Sequence, residues 1–363
     1  MSYRDDLKGY FALGRKEALG LAACILLAAA SYVVTRGTLF ENGPRVLPAE
    51  LFISDPVFSA LAKVGPIVLA LLLGLPIALR TLFPGAAYSG KYLLRIAIAL
   101  MGARVTVDVL SGASPTGMII IVATMVVVIA MALRLGRKLK LDDDASALIG
   151  TGNAVCGVSA CLSVAPVVEA KPHNLHAVIG VISLLGLIGV FFVPWLASIA
   201  GLDDAQSAVL IGGSLHEIGN VVPAADIYTG TLGGGDILGL VLAYKMVRVG
   251  LLVVVAYGLA RLFSQRAGAA EGVPVKPQGF LLAFVAIAVV VSLLLVLEPQ
   301  TGELVRTALI NVSASVLTIA MAGVGLAMDL RQTISAGRRL LPVTGLVWLA
   351  QLLLLMVLIV LFV

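Results

Sequence analysis

Charge is scarce in this sequence. Of its 363 residues only 12% are Asp, Glu, Lys or Arg, about half the share that soluble domains carry. The shortage excludes an ordinary soluble domain, because the 60% of hydrophobic residues come in long runs rather than in 3.6-residue stripes. Cysteine is also rare. Cys24, Cys156 and Cys161 all fall in apolar segments, which excludes a disulfide framework. A complete catalytic constellation is missing too. His216-Glu217 begins a zinc-protease pattern, but Asn220 stands where the second histidine belongs. The sequence therefore predicts neither an enzyme, a resident metal nor a cofactor.

What is present is a series of apolar runs. A bilayer core takes about 20 apolar residues per helix, and eleven stretches meet that length: 17–35, 58–80, 91–110, 116–134, 145–169, 174–200, 205–228, 236–263, 279–297, 303–329 and 340–363. The first follows Arg15 and Lys16 but is longer than a signal-peptide core of about 7–15 residues, so it reads as a retained helix. The expected fold is all-α, polytopic and lipid-embedded.

Basic residues test this division, since cytosolic loops are rich in Lys and Arg. With the N-terminus inside, sixteen fall in inside segments and three, Arg36, Arg45 and Lys171, fall outside. One inside segment, near Asp203, holds none. The bias predicts an inner-membrane protein with a cytoplasmic N-terminus and an external C-terminus. The net charge of +5 then reports orientation, not a nucleic-acid partner. Oligomeric state is left open, a homo-oligomer included.

Eleven helices divide into a leading segment (1–57) and two sets of five (58–200 and 201–363), which must enter the membrane in opposite senses, as in inverted-repeat transporters. The fourth helix of each set is rich in Gly, Ser, Thr and Asn: Leu148 to Pro166 in the first, Asn311 to Gly325 in the second. Backbone that lacks helical bonds is tolerated at membrane depth only against protein or a watery cavity. The Gly150-Thr-Gly-Asn153 run predicts a break between about Gly150 and Ser159. The second segment serves equally as close helix packing.

Several stretches resemble the YeiH-type family of sulfate exporters: Lys91-Tyr-Leu-Leu-Arg95 leading to Gly102-Ala-Arg104, Leu148 to Lys171, Gly212-Gly-Ser-Leu-His-Glu217 with Val221-Val222, and Lys245-Met-Val-Arg248. They span nearly the whole chain in one order. Val158 and Asn220 depart from the family pattern, which has Gly and Gln there. The family is grouped with transporters of the sodium–proton antiporter and bile-acid symporter type. The resemblance implies two inverted five-helix repeats with broken, crossing helices and alternating access.

Charges inside the apolar runs mark candidate sites, because each costs at least about 2.5–3.5 kcal/mol on insertion scales. Lys245 and Arg248 lie about 10–13 residues into their stretch, too deep to snorkel. Arg248 is the leading anion-binding candidate, its partner being Glu217, Asp226 or the transported anion. Neither of the two Gly/Ser-rich helices carries an acid in its middle, which favours an anion over a cation as substrate. Half-helix N-termini would favour the same. The candidate substrate site comprises Gly152, Asn153, Cys156, Gly157, Ser159, Lys245, Arg248, Asn311, Ser313 and Ser315. His216, Glu217 and Asp226 are candidates for proton or ion coupling. The leading reading is a secondary transporter of a small anion such as sulfate. Its rivals are a proton- or sodium-coupled carrier of an organic acid, and an anion channel.

Overall fold

The computed structural model describes residues 14–77, 82–267, 279–328, 334–335 and 337–363. Arg4, Lys8, Arg80, Lys276 and Arg331, which enter the charge count, lie outside the described residues. The regular structure of the described residues is all helical, with one isolated antiparallel bridge, Thr38 to Arg45, and no named strand.

The longer helices are α1 (Arg15–Arg36), α2 (Pro56–Val64), α3 (Pro66–Ile77), α4 (Pro115–Lys138), α5 (Asp143–Ala154), α6 (Val158–Val164), α7 (Pro172–Ile199), α8 (Asp204–Ser214), α9 (Ile218–Asp226), α10 (Leu238–Gly250), α11 (Leu252–Ala267), α12 (Gly279–Leu297), α13 (Pro299–Ala327) and α14 (Leu341–Phe362). Among the described residues, seven helices are long and apolar enough to cross a membrane, with α10 and α11 taken as one span. An eighth counts if α2 and α3, bent by 93° at Gly65, form one span. The other three apolar stretches are interrupted. Residues 83–111 pass through a π turn and a 3-10 turn, and the stretches from 145 and from 205 are each split in two.

Helix ends follow local chemistry. Ser114 caps α4 by accepting from Gly117 N at 3.2 Å, Pro115 follows it, and Arg137 and Lys138 close the last turn. Asp203 and Gln206 form a reciprocal capping box at α8.

The chain packs as two compact units, and each draws on both sequence halves. The first unit holds α1–α3, the 83–108 pieces, α12 and α13. Here Gly74 and Gly325 bring α3 and α13 together backbone to backbone, because a Cβ on either would meet the other helix's main chain. α13 runs unbroken from Pro299 to Ala327. Of the two readings open for its Gly- and Ser-rich stretch, the unbroken helix fits close packing, and the break that the family resemblance implied is absent.

The second unit holds α4–α11 and α14, and its two split stretches fold back on themselves as hairpins. A straight helix from residue 142 to 171 would separate its ends by roughly 43 Å. Instead Lys171 Nζ lies 2.9 Å from Asp142 Oδ2, and Lys171 N donates to Asp144 Oδ2 at 2.8 Å. Asn174 Nδ2 bridges both carboxylates at 3.0 and 3.1 Å. Hydrogen bonds from Asn174 and Lys171 hold the Asp142 carboxyl below the usual carboxylate range. α5 therefore runs in and α6 runs back, with Cys161 Sγ against Leu148 O at 3.4 Å.

The second hairpin repeats the pattern. Residues 204 and 228 would lie roughly 36 Å apart on a straight helix. Tyr228 Oη donates to Asp204 Oδ1 at 2.9 Å, and Gly235 N reaches the same oxygen at 3.0 Å. α8 runs in, Leu215–Glu217 is extended, and α9 returns. The second interruption thus falls in 205–228 rather than in 303–329.

Candidate functional site

The hairpin tips meet inside the second unit. Each inbound arm, α5 or α8, ends there with carbonyls that no helical N–H can reach. Two cations from one face of α10 satisfy both ends at once. Arg248 donates to Ala154 O at 2.8 Å and to Asn153 O on the first arm. On the second it donates to Gly213 O at 2.7 Å, Leu215 O at 2.9 Å and Gly212 O at 3.4 Å. Lys245 Nζ joins Val155 O at 3.1 Å to Leu215 O at 2.5 Å and His216 O at 2.7 Å. Both side chains are fully buried.

The structure gives Arg248 main-chain partners: its five hydrogen bonds all go to carbonyls, and none goes to Glu217 or Asp226. A positive charge at a helix C-terminus is favourable because the macrodipole is negative there. Two such ends face one another here, which is why two cations are retained at this depth.

Beyond the cations lies the tip contact. Gly157, at φ +61, turns the first hairpin, and a Cβ on it would stand 2.9 Å from Glu217 Cγ and 3.3 Å from His216 Cβ. Only glycine satisfies both the backbone and the space. His216 Nε2 bonds Asn153 Oδ1 at 3.0 Å, while Asn153 Nδ2 donates to Ile149 O at 2.8 Å. The amide orientation makes His216 Nε2 the donor. Glu217 is half-buried and accepts from Ser183 Oγ of α7 at 3.3 Å. Trp348 of α14 packs on the His216 ring at 5.6 Å, and Gln351 Nε2 donates to Gly213 O at 3.0 Å.

The structure brings together Gly152, Asn153, Cys156, Gly157, Lys245, Arg248, His216 and Glu217, with Ser159 in the first turn after the break. Asp226 sits at the far end of α9, toward the hairpin base. Asn311, Ser313 and Ser315 belong to the first unit. Asn311 Oδ1 accepts from Asn42 Nδ2 at 2.9 Å, Ser315 Oγ accepts from Glu41 N at 3.2 Å, and Ser313 Oγ donates to Ile310 O at 2.8 Å. They hold a loop and their own helix. An acid does stand at a break after all: Glu217 opens α9.

Sequence reading missed the second tip, Ser183 and the α14 pair Trp348 and Gln351. The tip had a signal, since Gly212-Gly-Ser214 and Gly219-Asn220 repeat the small-residue signature of the first break. Ser183, Trp348 and Gln351 had none, being single polar residues on otherwise apolar helices.

A model of the family described as conserved hypothetical protein 698 matches residues 19–344. The chain is 29% identical to a UPF0324 membrane protein of Helicobacter hepaticus, over 80% of this chain and 87% of that one. It is 29% identical to one of Bradyrhizobium diazoefficiens over 96% and 94% of the two chains, and 32% identical to one of Bordetella bronchiseptica over 74% and 82%. No solved structure matches. The family resemblance drawn from the residues agrees with these matches.

Proposed function

We propose that this chain, which belongs to the conserved hypothetical protein 698 family, is a secondary transporter that carries a small anion such as sulfate across a cell inner membrane by alternating access. The observation that carries this reading is the meeting of two hairpin tips around buried polar groups, with Asn153 and His216 joined at 3.0 Å. Broken helices that line a midplane site are a common transporter device. The family resemblance to exporters supports the same class.

Re-entrant hairpins also change the topology. Nine crossings and two hairpins replace eleven crossings, and the termini keep their sides. Lys171 moves from the outside to the inside, and the loop at Asp203 moves out. The basic-residue bias then rises from sixteen against three to seventeen against two, and no inside segment lacks a basic residue. The α5–α6 hairpin enters from the cytoplasm and the α8–α9 hairpin from outside. Such opposed entries suit a site opened to one side at a time.

Charge balance gives the coupling. Each arm end supplies about half a negative charge, so the two offset about one of the two cations. Ionised Glu217 offsets the other, and the cluster is near neutral. Protonated Glu217 leaves about one positive charge beside the tips, enough to hold a small anion. Proton and anion bind together on this reading, and their combined gradients set the direction. A proton- or sodium-coupled carrier of an organic acid remains the alternative, and the half-buried Glu217 carboxylate would serve its coupling as well.

Reconstituted proteoliposomes test the proposal. Saturable sulfate counterflow, faster at acid pH, is expected from the wild type. Glu217→Gln is expected to exchange sulfate with no pH response. Flux without counterflow would make the protein a channel. Counterflow with small carboxylates and none with sulfate would install the organic-acid reading.

A further inference from the structure

The first unit carries a polar feature that the transport site does not use. Between α1 and Leu51 the chain folds a tight loop whose shape is fixed by its own backbone. Gly37, at φ +71, accepts from Val46 N at 2.7 Å and from Leu47 N at 3.2 Å. The isolated bridge sets Thr38 beside Arg45. Glu41 and Asn42 anchor the loop to α13 through Ser315 and Asn311.

This loop walls an open pocket of about 380 Å³, lined on its polar side by Thr35, Arg36, Thr38, Asn42 and Arg45 and on its apolar side by Ala49, Phe52 and Ile53. The two arginines are not equivalent. Arg36 pairs with Glu41 at 2.9 Å, so its charge is offset. Arg45 is exposed, and its guanidinium makes no ion pair or hydrogen bond among the described residues. Beside it, Thr38 is 8% exposed and its Oγ1 has no hydrogen-bond partner. A buried hydroxyl left unbonded is destabilising, so its retention calls for an acceptor or donor that the described residues do not supply.

Position adds a second argument. On the orientation proposed above, Arg36 and Arg45 are the two basic residues among the seventeen-against-two count that fall outside. External loops avoid such residues, and both line one pocket. Ile53, 84% exposed, extends an apolar edge from the same wall.

We propose that the Thr38–Arg45 pocket binds an oxyanion, with the Arg45 guanidinium as counter-ion and the Thr38 hydroxyl as donor. A phosphate-type group satisfies both, since guanidinium groups match such oxygens in a planar fork. It comes either as a free inorganic oxyanion or as the phosphodiester of an anionic lipid whose chains follow Phe52 and Ile53. The external placement of the pocket and the argument drawn from it rest on the orientation reading, whereas the Thr38 and Arg45 observations do not.

Melting of the purified full-length protein in detergent tests this, and the measurement is blind to orientation and to transport. The ligands are sodium sulfate, sodium phosphate and short-chain phosphatidylglycerol, against sodium chloride at matched ionic strength and short-chain diacylglycerol. A ligand that binds the folded state raises the melting temperature by mass action. The wild-type shift is expected to shrink in Arg45→Gln and in Thr38→Val, and to persist through the loop in Glu217→Gln. A loss confined to phosphatidylglycerol identifies the lipid, and a loss with the inorganic salts identifies the free ion. Shifts of equal size in wild type, Arg45→Gln and Thr38→Val overturn the pocket as a site, as does no shift with any ligand. A transport failure with the Arg45-dependent shift intact would sink the transporter reading alone.

Discussion

The α5–α6 hairpin turns on a glycine at positive φ and is tied at its base by Asp142, Asp144, Lys171 and Asn174. The α8–α9 hairpin turns through extended Leu215–Glu217, carries an acid at its tip, and is tied at its base by a tyrosine hydroxyl on Asp204. Both inbound arms end on the same two cations. The difference teaches where each constraint acts. Shared backbone chemistry at the arm ends requires the cations, so it is common to both. The tips and bases face different neighbours, and there the sequences diverge. Only the second tip carries a carboxylate, Glu217, so on the proposed mechanism one hairpin shapes the contact and the other takes up the proton.

The largest expected difference between the hairpins is the side on which their bases lie. In a background lacking Cys24, Cys156 and Cys161, Lys171→Cys and Leu139→Cys should react with a membrane-impermeant thiol reagent only after the cells are opened. Ala200→Cys should react from outside. Eleven full crossings would invert the result at 171 and 200 and leave 139 unchanged, so one labelling series separates the two topologies.

What the hairpins share is the next target. Arg248→Gln removes a guanidinium with five buried carbonyl bonds. Breaking one side of a buried charged contact costs about 3–5 kcal/mol, and here both arms lose a partner. The variant should melt far below wild type or fail to yield monodisperse protein, with sulfate present or absent. If it melts like wild type and loses only sulfate binding, Arg248 faces the anion and the capping account is wrong. Arg248→Lys should recover part of the stability, since a single ammonium reaches fewer of the carbonyls.

Much of this architecture was legible in the residues. Low charge and long apolar runs predicted an all-α membrane protein, and Gly150 to Asn153 predicted the first break, found at Val155–Gly157. Hydropathy measures whether a segment is apolar, not whether it crosses or returns, so both hairpins read as spans. On the orientation proposed above, the charge pattern holds a clue to their return, in Lys171 counted outside and a bare inside loop at Asp203. Arg248 illustrates a second limit. Its depth required a compensating partner, but side chains were the only partners a sequence displays. Main-chain carbonyls freed by a break become partners only once the break is placed in space. The Gly/Ser-rich run of α13 shows why composition alone could not place the second break, since small residues serve close packing as well as interruption.

The smallest expected effect isolates the contact between the tips. Gly157→Ala must place a methyl group at φ +61 and against Glu217 Cγ. Gly201 supplies a control, because it has φ +67 and no heavy atom within 4 Å of where a Cβ would stand. Backbone strain of this kind costs about 1–3 kcal/mol, and both variants should pay it. Gly157→Ala should lose more, and the excess reports the crowding at the tip. Glu217→Ala removes the Cγ that the new methyl group would meet. In a double-mutant cycle, Gly157→Ala with Glu217→Ala should therefore be less destabilised than the two single changes added together. Coupling between touching residues runs at about 0.5–3 kcal/mol, whereas independent sites add within about 0.3–0.5 kcal/mol. Gly201→Ala with Glu217→Ala should be additive. Additivity in the Gly157 cycle as well would mean that the tips do not touch, and the midplane site assembled from both hairpins would fall with that result.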